Sequence, residues 1–321
     1  EEELRAVRIE LVGKADSAFY AVLKAQASVD AAAADVAAAA LRLDLAQAKA
    51  AAGIIAGSDY LQAEAEAAGY GTSLIKAKRT LASAKATLAS LAGTAVSTPV
   101  KAVEFAAYEP MLRTLAALDE AAAAALADKV AKVAQDGSPV LAGYTLAAGM
   151  AEAAVKTARS GYAPSVEASL SHALSWTDGA GVSLGAGSVS LTATVALDFW
   201  KTANNVAAAS LARSSAAVDM AEAERSLALD VEVAVNELLG AARSIESSEK
   251  AVEYAESNYG SVLERYTLSS ASSADLSSSL ALVSTSRTAL ISARYDFLSY
   301  LSSLRGLAGL EHEDTLMAMM P

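Results

Sequence analysis

Shifted against itself by 216 positions, the sequence matches without a gap from about residue 11 to residue 93. Leu23, Ala25 and Ser28 fall on Leu239, Ala241 and Ser244, and Val36 and Ala39 fall on Val252 and Ala255. Asp59 meets Asp275. Leu74, Ile75 and Ala77 meet Leu290, Ile291 and Ala293, and the tripeptide Leu91–Gly93 recurs as Leu307–Gly309. Alanine bias produces some coincidences, but a gapless register that also keeps Leu, Ile, Asp and Gly marks an internal duplication. Two copies of one pattern must adopt one architecture, and that restricts the chain more than any single motif.

Each copy reads as a long helix, a short break and a second long helix. The breaks are Ala50–Leu61 (AAAGIIAGSDYL) and Tyr266–Leu276 (YTLSSASSADL). Glycine and serine interrupt helix propensity there, and Ser58 or Ser273 with the neighbouring aspartate is placed to cap the returning helix. From about Asn204 to Tyr266 the sequence holds no proline and almost no glycine. Some 60 helical residues would extend roughly 90 Å. Such a length fits a coiled-coil rod or a wall of packed helical hairpins. Alanine and serine stand where leucine would fill a two-stranded zipper, which favours helices with two close neighbours.

Between the copies lies the only alternating sequence. In Ser165–Trp176, Val166, Ala168, Leu170, His172, Leu174 and Trp176 share one face, and mostly serines share the other. A glycine-rich stretch, Thr177–Gly187, is expected as a loop. Ser188–Phe199 then alternates again, with Val189, Leu191, Val195 and Leu197 opposite Ser190, Thr192 and Thr194. Period-two alternation on both sides of a glycine loop predicts an antiparallel hairpin. Soluble strands run about 5–6 residues, and tilted membrane strands about 9–11. Trp176 stands at one end of this hairpin, with Phe199 and Trp200 at the other, where an aromatic girdle would place them. A long hairpin of a soluble sandwich is the alternative. His172, on the apolar face, is expected near an interface or a neighbouring strand rather than on a metal.

The chain is acidic, with 25 Lys and Arg against 37 Asp and Glu, and no basic run stands out. Nucleic acid is therefore not an expected partner. Without cysteine there is no disulfide, thiolate site or lipidated cysteine within these 321 residues. No apolar run reaches the roughly 20 residues of a membrane-spanning helix, and Glu1–Glu10 does not read as a secretory signal. Metal spacing, a nucleophile elbow and a phosphate loop are all missing from the sequence pattern, so neither enzyme activity nor a cofactor is expected.

Long helical hairpins repeated twice and joined to a strand pair resemble the TolC-like outer-membrane efflux protein family. The likeness is clearest at Ala153–Ser171 (AAVKTARSGYAPSVEASLS), similar to the family's helix-to-strand junction with its GY-x-P turn. Val195–Ala241 resembles the exit from strand into the longest helix. The family has a proline before the aromatic residue there, whereas this sequence has Ala196 and Asp198 around Leu197. Residues 126–158 resemble the segment before the junction, with Gly137–Pro139 as a helix-to-helix turn.

The resemblance implies a mainly α fold with a membrane β-hairpin: long antiparallel helical hairpins of an α-barrel, joined to a β-barrel strand pair, in two structural repeats. It divides the chain into a first helical repeat (1–98), short helices and a connection (99–163), an outer-membrane hairpin (164–200), a second helical repeat (201–310) and a tail (311–321). It further implies a homotrimeric exit duct through the outer membrane and periplasm, in a tripartite efflux or type I secretion system. A periplasmic adaptor and an inner-membrane pump would be its partners, and small molecules or proteins its cargo. Adaptor docking would fall on Gly53, Ile54 and Ile55 and, with the glycine replaced, on Leu268, Ser269 and Ser270. Asp59, Asp275 and Tyr266 match positions at the family's aperture; Asp59 and Asp275 read equally as helix caps. A counterpart of residues 140–216 is expected ahead of residue 1, as part of a longer product. The competing reading is a soluble, coiled-coil-like periplasmic spacer or adaptor, whose strands would bury one face in a small sandwich.

Overall fold

The computed structural model describes residues 2–94, 101, 103–177, 181–195 and 197–317, with the side chains of 173–177, 181–186, 313 and 314 outside that description. In chain order these are α1 (Glu2–Ala51), α2 (Gly57–Ala92), a 3-10 turn at Phe105–Ala107, α3 (Glu109–Ala117), α4 (Glu120–Gly137) and α5 (Pro139–Ser160). They continue with β1 (Ser165–Thr177), β2 (Gly181–Thr194), α6 (Phe199–Thr267), α7 (Ser273–Leu307) and α8 (Glu313–Met317). The chain forms two compact bodies, residues 1–139 with 227–321, and residues 140–226. No helix among the described residues is long and apolar enough to cross a membrane.

In the first body, the duplication seen in the sequence is a duplication of structure. Ala51 and Thr267 end the first helix of each hairpin, and Gly57 and Ser273 begin the second, at the same 216-residue offset. α1 is the central element, packed against α2 on one side and α7 on the other. Ion pairs follow the α1–α7 seam, from Arg305–Asp16 at 2.6 Å to Lys24–Asp296 at 2.9 Å. α7 is tied in turn to α6 by Arg287–Glu256 and Arg294–Glu249, both at 2.7 Å.

The large apolar residues gather around one part of these helices. Leu23 of α1, Val231, Val235, Leu238 and Ile245 of α6, and Phe297, Leu298, Leu301 and Leu304 of α7 are buried together with Leu115 and Val130 of α3 and α4. Tyr108 meets Phe297 edge-on, with ring centroids 6.4 Å apart. Arg243 of α6 donates to the carbonyls of Ala116 and Leu118, satisfying oxygens that the end of α3 leaves open. α4 is capped by Asp119, whose carboxylate accepts from Ala122 N–H at 2.8 Å. Just beyond the end of α7, Gly309 has φ 68°, and the backbone there passes so close to Gly137 that a Cβ would overlap its carbonyl oxygen. Only glycine fits both the left-handed φ and that approach.

The second body holds α5, the hairpin and the start of α6. β1 and β2 pair antiparallel from Ser165↔Thr194 to Thr177↔Gly181, with a register shift between His172 and Leu174 that places one extra residue on β2. The glycine-rich stretch expected as a loop is therefore mostly strand, because Gly181–Gly187 pairs with β1. Gly187 lies opposite His172, and a Cβ there would come 3.2 Å from the imidazole Nδ1. The glycine makes room for that imidazole. β2 ends at Thr194, earlier than the alternation predicts, and Phe199 and Trp200 open α6 instead of closing the strand.

Candidate functional site

The two hairpin tips close in the same way. After α1, Gly53 N–H donates to Ala50 O (3.0 Å) and Ile54 N–H to Lys49 O (2.9 Å). After α6, Ser269 N–H donates to Tyr266 O (3.0 Å) and Ser270 N–H to Arg265 O (2.8 Å). This double bond pattern is a Schellman closure, and it requires a left-handed residue in the middle. Gly53 occupies that place with φ 72°, and Ser269 with φ 58°. Loss of the glycine has not changed the turn. A left-handed L-residue costs about 1–2 kcal/mol, which Ser269 offsets by an outside bond: its hydroxyl accepts from Lys49 Nζ at 2.9 Å.

Lys49 belongs to α1, so the first hairpin holds the second tip. Its ammonium also donates to Tyr266 O and lies 4.4 Å from the Tyr266 ring centroid, where the negative ring face attracts it. Tyr266 is 1% exposed beneath it. Seven residues earlier on the same face of α1, Arg42 is 2% exposed. It pairs with Glu66 of α2 and donates to Ser273 of α7, at 3.2 Å to the hydroxyl and 3.4 Å to the carbonyl. Glu66 also accepts from Ser277 Oγ (2.7 Å) and Gln62 Nε2 (2.8 Å). Burial lowers the pKa of Arg42, and the surrounding phenols of Tyr266, Tyr70 and Tyr259 act against that shift.

The caps differ between copies. Ala56 precedes α2 and offers no side-chain bond. Ser272 precedes α7 in a full capping box: its hydroxyl accepts from Asp275 N–H (3.1 Å), and the Asp275 carboxylate accepts from Ser272 N–H (3.0 Å) and Oγ–H (2.8 Å). Those bonds hold the Asp275 carboxyl below its ordinary pKa. The caps therefore lie at 56 and 272, not at Ser58 or Ser273, which are already helical. Ser273 instead turns its hydroxyl to Arg42. Asp59 sits at the third position of α2, as Asp275 does in α7, but faces a cap without a hydroxyl. At the tips, Ile54 and Leu268 are 57% and 78% exposed, and Gly53, Ser269 and Ser270 are exposed, with Ile55 half-buried.

On the strand pair, Val166, Leu170, Val189 and Leu191 are 64–80% exposed. The opposite face is a ladder of hydroxyls, in which Ser169 and Ser190 approach to 2.7 Å and Ser171 and Ser188 to 2.8 Å. Nothing covers either face among the described residues. Trp200 is 81% exposed and Phe199 53%. The side chain of Trp176 lies outside the described residues, as do Ala196, residues 95–100 and residues 318–321. The tips and the strand pair belong to different bodies.

Arg42, Lys49 and Glu66 were missed by sequence reasoning. The available signal was the seven-residue spacing of two cations beside an alanine tract, with Asn258 and Arg265 at the corresponding places of the second copy. Only Lys49 has a cationic counterpart, and Arg265 stays on its own turn.

A family model described as "Outer membrane efflux protein" matches residues 1–94 and 130–310. Among solved structures, the chain is similar to the outer membrane protein VceC of Vibrio cholerae, at 16% identity over 96% of this chain and 72% of that one, with a TM-score of 0.74. It is similar to the open state of the MtrE channel of Neisseria gonorrhoeae, at 17% identity over 96% and 68%, with a TM-score of 0.75. The CmeC channel of Campylobacter jejuni aligns at 13% identity over 99% and 67%, with a TM-score of 0.73. No curated protein matches the sequence.

Proposed function

Given that the chain belongs to the outer membrane efflux protein family, whose members are channels and not enzymes, we propose that it is one protomer of a trimeric exit duct. In this reading the strands lie in the outer membrane and the helical hairpins extend into the periplasm. A periplasmic adaptor and an inner-membrane pump deliver the cargo, small molecules or proteins. The pump supplies the energy, so the duct needs no catalytic group.

The observation that supports this best is the strand pair. Leu170 and Val189 stand 80% and 79% exposed on one face while serines bond across the other. A soluble sandwich would bury the first face against a second layer; lipid on the apolar side and water on the hydroxyl side suit both as they stand. Phe199, Trp200 and Trp176 are the residues for the two membrane interfaces. Gly53, Ile54, Ile55, Leu268, Ser269 and Ser270 offer the adaptor two turns of equal backbone shape. Asp59 and Asp275, repeated around a narrow axis, would concentrate cations, and Tyr266 would steady the second tip beside them.

The test is purification in detergent and in plain buffer, followed by planar-bilayer recording. A trimer that needs detergent and conducts ions is the expected result. A protein monodisperse in buffer, with its hairpin intact and no conductance, would overturn the reading in favour of a periplasmic spacer.

A further inference from the structure

α2 and α7 are counterparts in the duplication, yet they are held differently. α7 buries residues along its length, from Leu276, Leu280 and Val283 to Leu298, Leu301 and Leu304. α2 buries Ala63 alone. Among the described residues, its side-chain hydrogen bonds and ion pairs to other helices all run from Glu66, to Arg42 of α1 and Ser277 of α7. Ala63 and Glu66 both lie near the start of a helix of 36 residues.

Directly beyond these anchors α2 carries Gly69, Tyr70, Gly71, Thr72 and Ser73. Neither glycine is required by its surroundings, since a Cβ at either would meet no atom within 4 Å. Alanine, abundant elsewhere in α2, would fit both places and hold the helix better. Thr72 and Ser73 turn their hydroxyls back onto the carbonyls of Ala68 (3.0 Å) and Gly69 (3.1 Å). Such a back-bond gives the carbonyl a second partner, so its helical bond lengthens at small cost. Glycine beside serine, and a side chain entering the helical ladder, are recurrent causes of bending. Tyr70, between the glycines, is half-buried; burial first, and the Asp35 charge after it, push its phenol up. It is a held residue with a permissive one on each side.

The counterpart in α7 is Thr285, Ser286, Arg287, Thr288 and Ala289. Thr285 and Thr288 make similar back-bonds, to Ala281 O and Ser284 O, both at 2.9 Å. No glycine stands there, however, and Ser286 is buried. Arg287 braces the stretch, with Glu256 of α6 at 2.7 Å and Asp35 of α1 at 3.8 Å. One place in the duplication is thus weakened in the first copy and fastened in the second.

We propose that α2 is jointed at Gly69–Ser73. The short arm, Gly57–Ala68, is held by Ala63 and Glu66. The long arm, Leu74–Ala92, turns relative to it about Tyr70, and α7 has no matching joint. The two tips share a backbone shape, but only the first is uncoupled from the helix that follows it. The joint is a property of the first body and does not rest on the trimeric duct.

Hydrogen exchange of the detergent-solubilised protein tests this, read by residue after electron-transfer fragmentation and corrected for intrinsic rates. Protection along α2 is expected to pass through a minimum at residues 70–73, about tenfold below residues 64–67 and 77–80. α7 should show no minimum at residues 286–289. Gly69→Ala with Gly71→Ala should remove the minimum, whereas Gly240→Ala, at an equally open glycine of α6, should leave it. Protection that declines steadily from one end of α2 would be fraying, and would overturn the joint. A minimum that survives both alanines, or an equal one in α7, would also overturn it.

Discussion

Ser272 and Asp275 show what one residue does at a helix start. Ser272→Ala removes the hydroxyl that accepts from Asp275 N–H and should lower stability by about 1 kcal/mol in denaturant unfolding. Ala56→Ser, which supplies the missing hydroxyl to Asp59, should raise it by a similar or smaller amount. The Asp275 carboxyl has its pKa lowered by Ser272, so its contribution is present above the unfolded value of about 4 and is lost as pH falls through the depressed value. Asp275→Asn should therefore flatten the acid limb of the stability profile, read by thermal unfolding across pH. An unchanged profile would mean the capping box does not form in solution. If Asp59→Asn with Asp275→Asn also leaves ion selectivity untouched, the aperture role falls and capping by Asp275 alone remains. The sequence showed both aspartates and the duplication, but left the choice between cap and aperture open. Ser58 and Ser273 were plausible caps because a single residue of helix start decides which serine is which.

Between elements, the informative group is Arg42, which joins α1 to α2 and α7 from a buried position. Arg42→Met leaves Glu66 with its serine and glutamine partners but without its cation, and should cost about 2–3 kcal/mol. Glu66→Gln should cost less, and a double-mutant cycle between them should return a coupling of the same sign. The strand pair makes the opposite test, since its two faces differ. Leu170→Arg on the apolar face should cost about 2–4 kcal/mol of assembly in a membrane, seen as loss of folded protein from the outer-membrane fraction. Ser171→Arg on the hydroxyl face should assemble and alter conductance. Equal tolerance of both would place the hairpin outside lipid. The element types and the hairpin were legible in the sequence because period-two alternation and long stretches without helix breakers are local properties. The end of β2 and the strand character of Gly181–Gly187 were not, because the bulge and the His172–Gly187 contact depend on pairing across the hairpin.

For the whole molecule, the duplication set the plan before any contact was known: two helical hairpins that turn at one offset, with a strand pair between them in the chain. What the sequence could not give is which copy supports the other. Arg42 and Lys49 cross from the first hairpin to the second, and nothing in a one-dimensional alignment distinguishes a side chain that crosses from one that stays.

The serine at position 269 holds its left-handed turn with help from Lys49, whereas Gly53 has no neighbour within 4 Å of where a side chain would begin. The two turns therefore differ in what they should tolerate. The supported turn does not depend on glycine, whereas the unsupported one does. A library of substitutions should show this directly, with many residues accepted at 269 while Lys49 is present, and little beyond glycine and asparagine at 53.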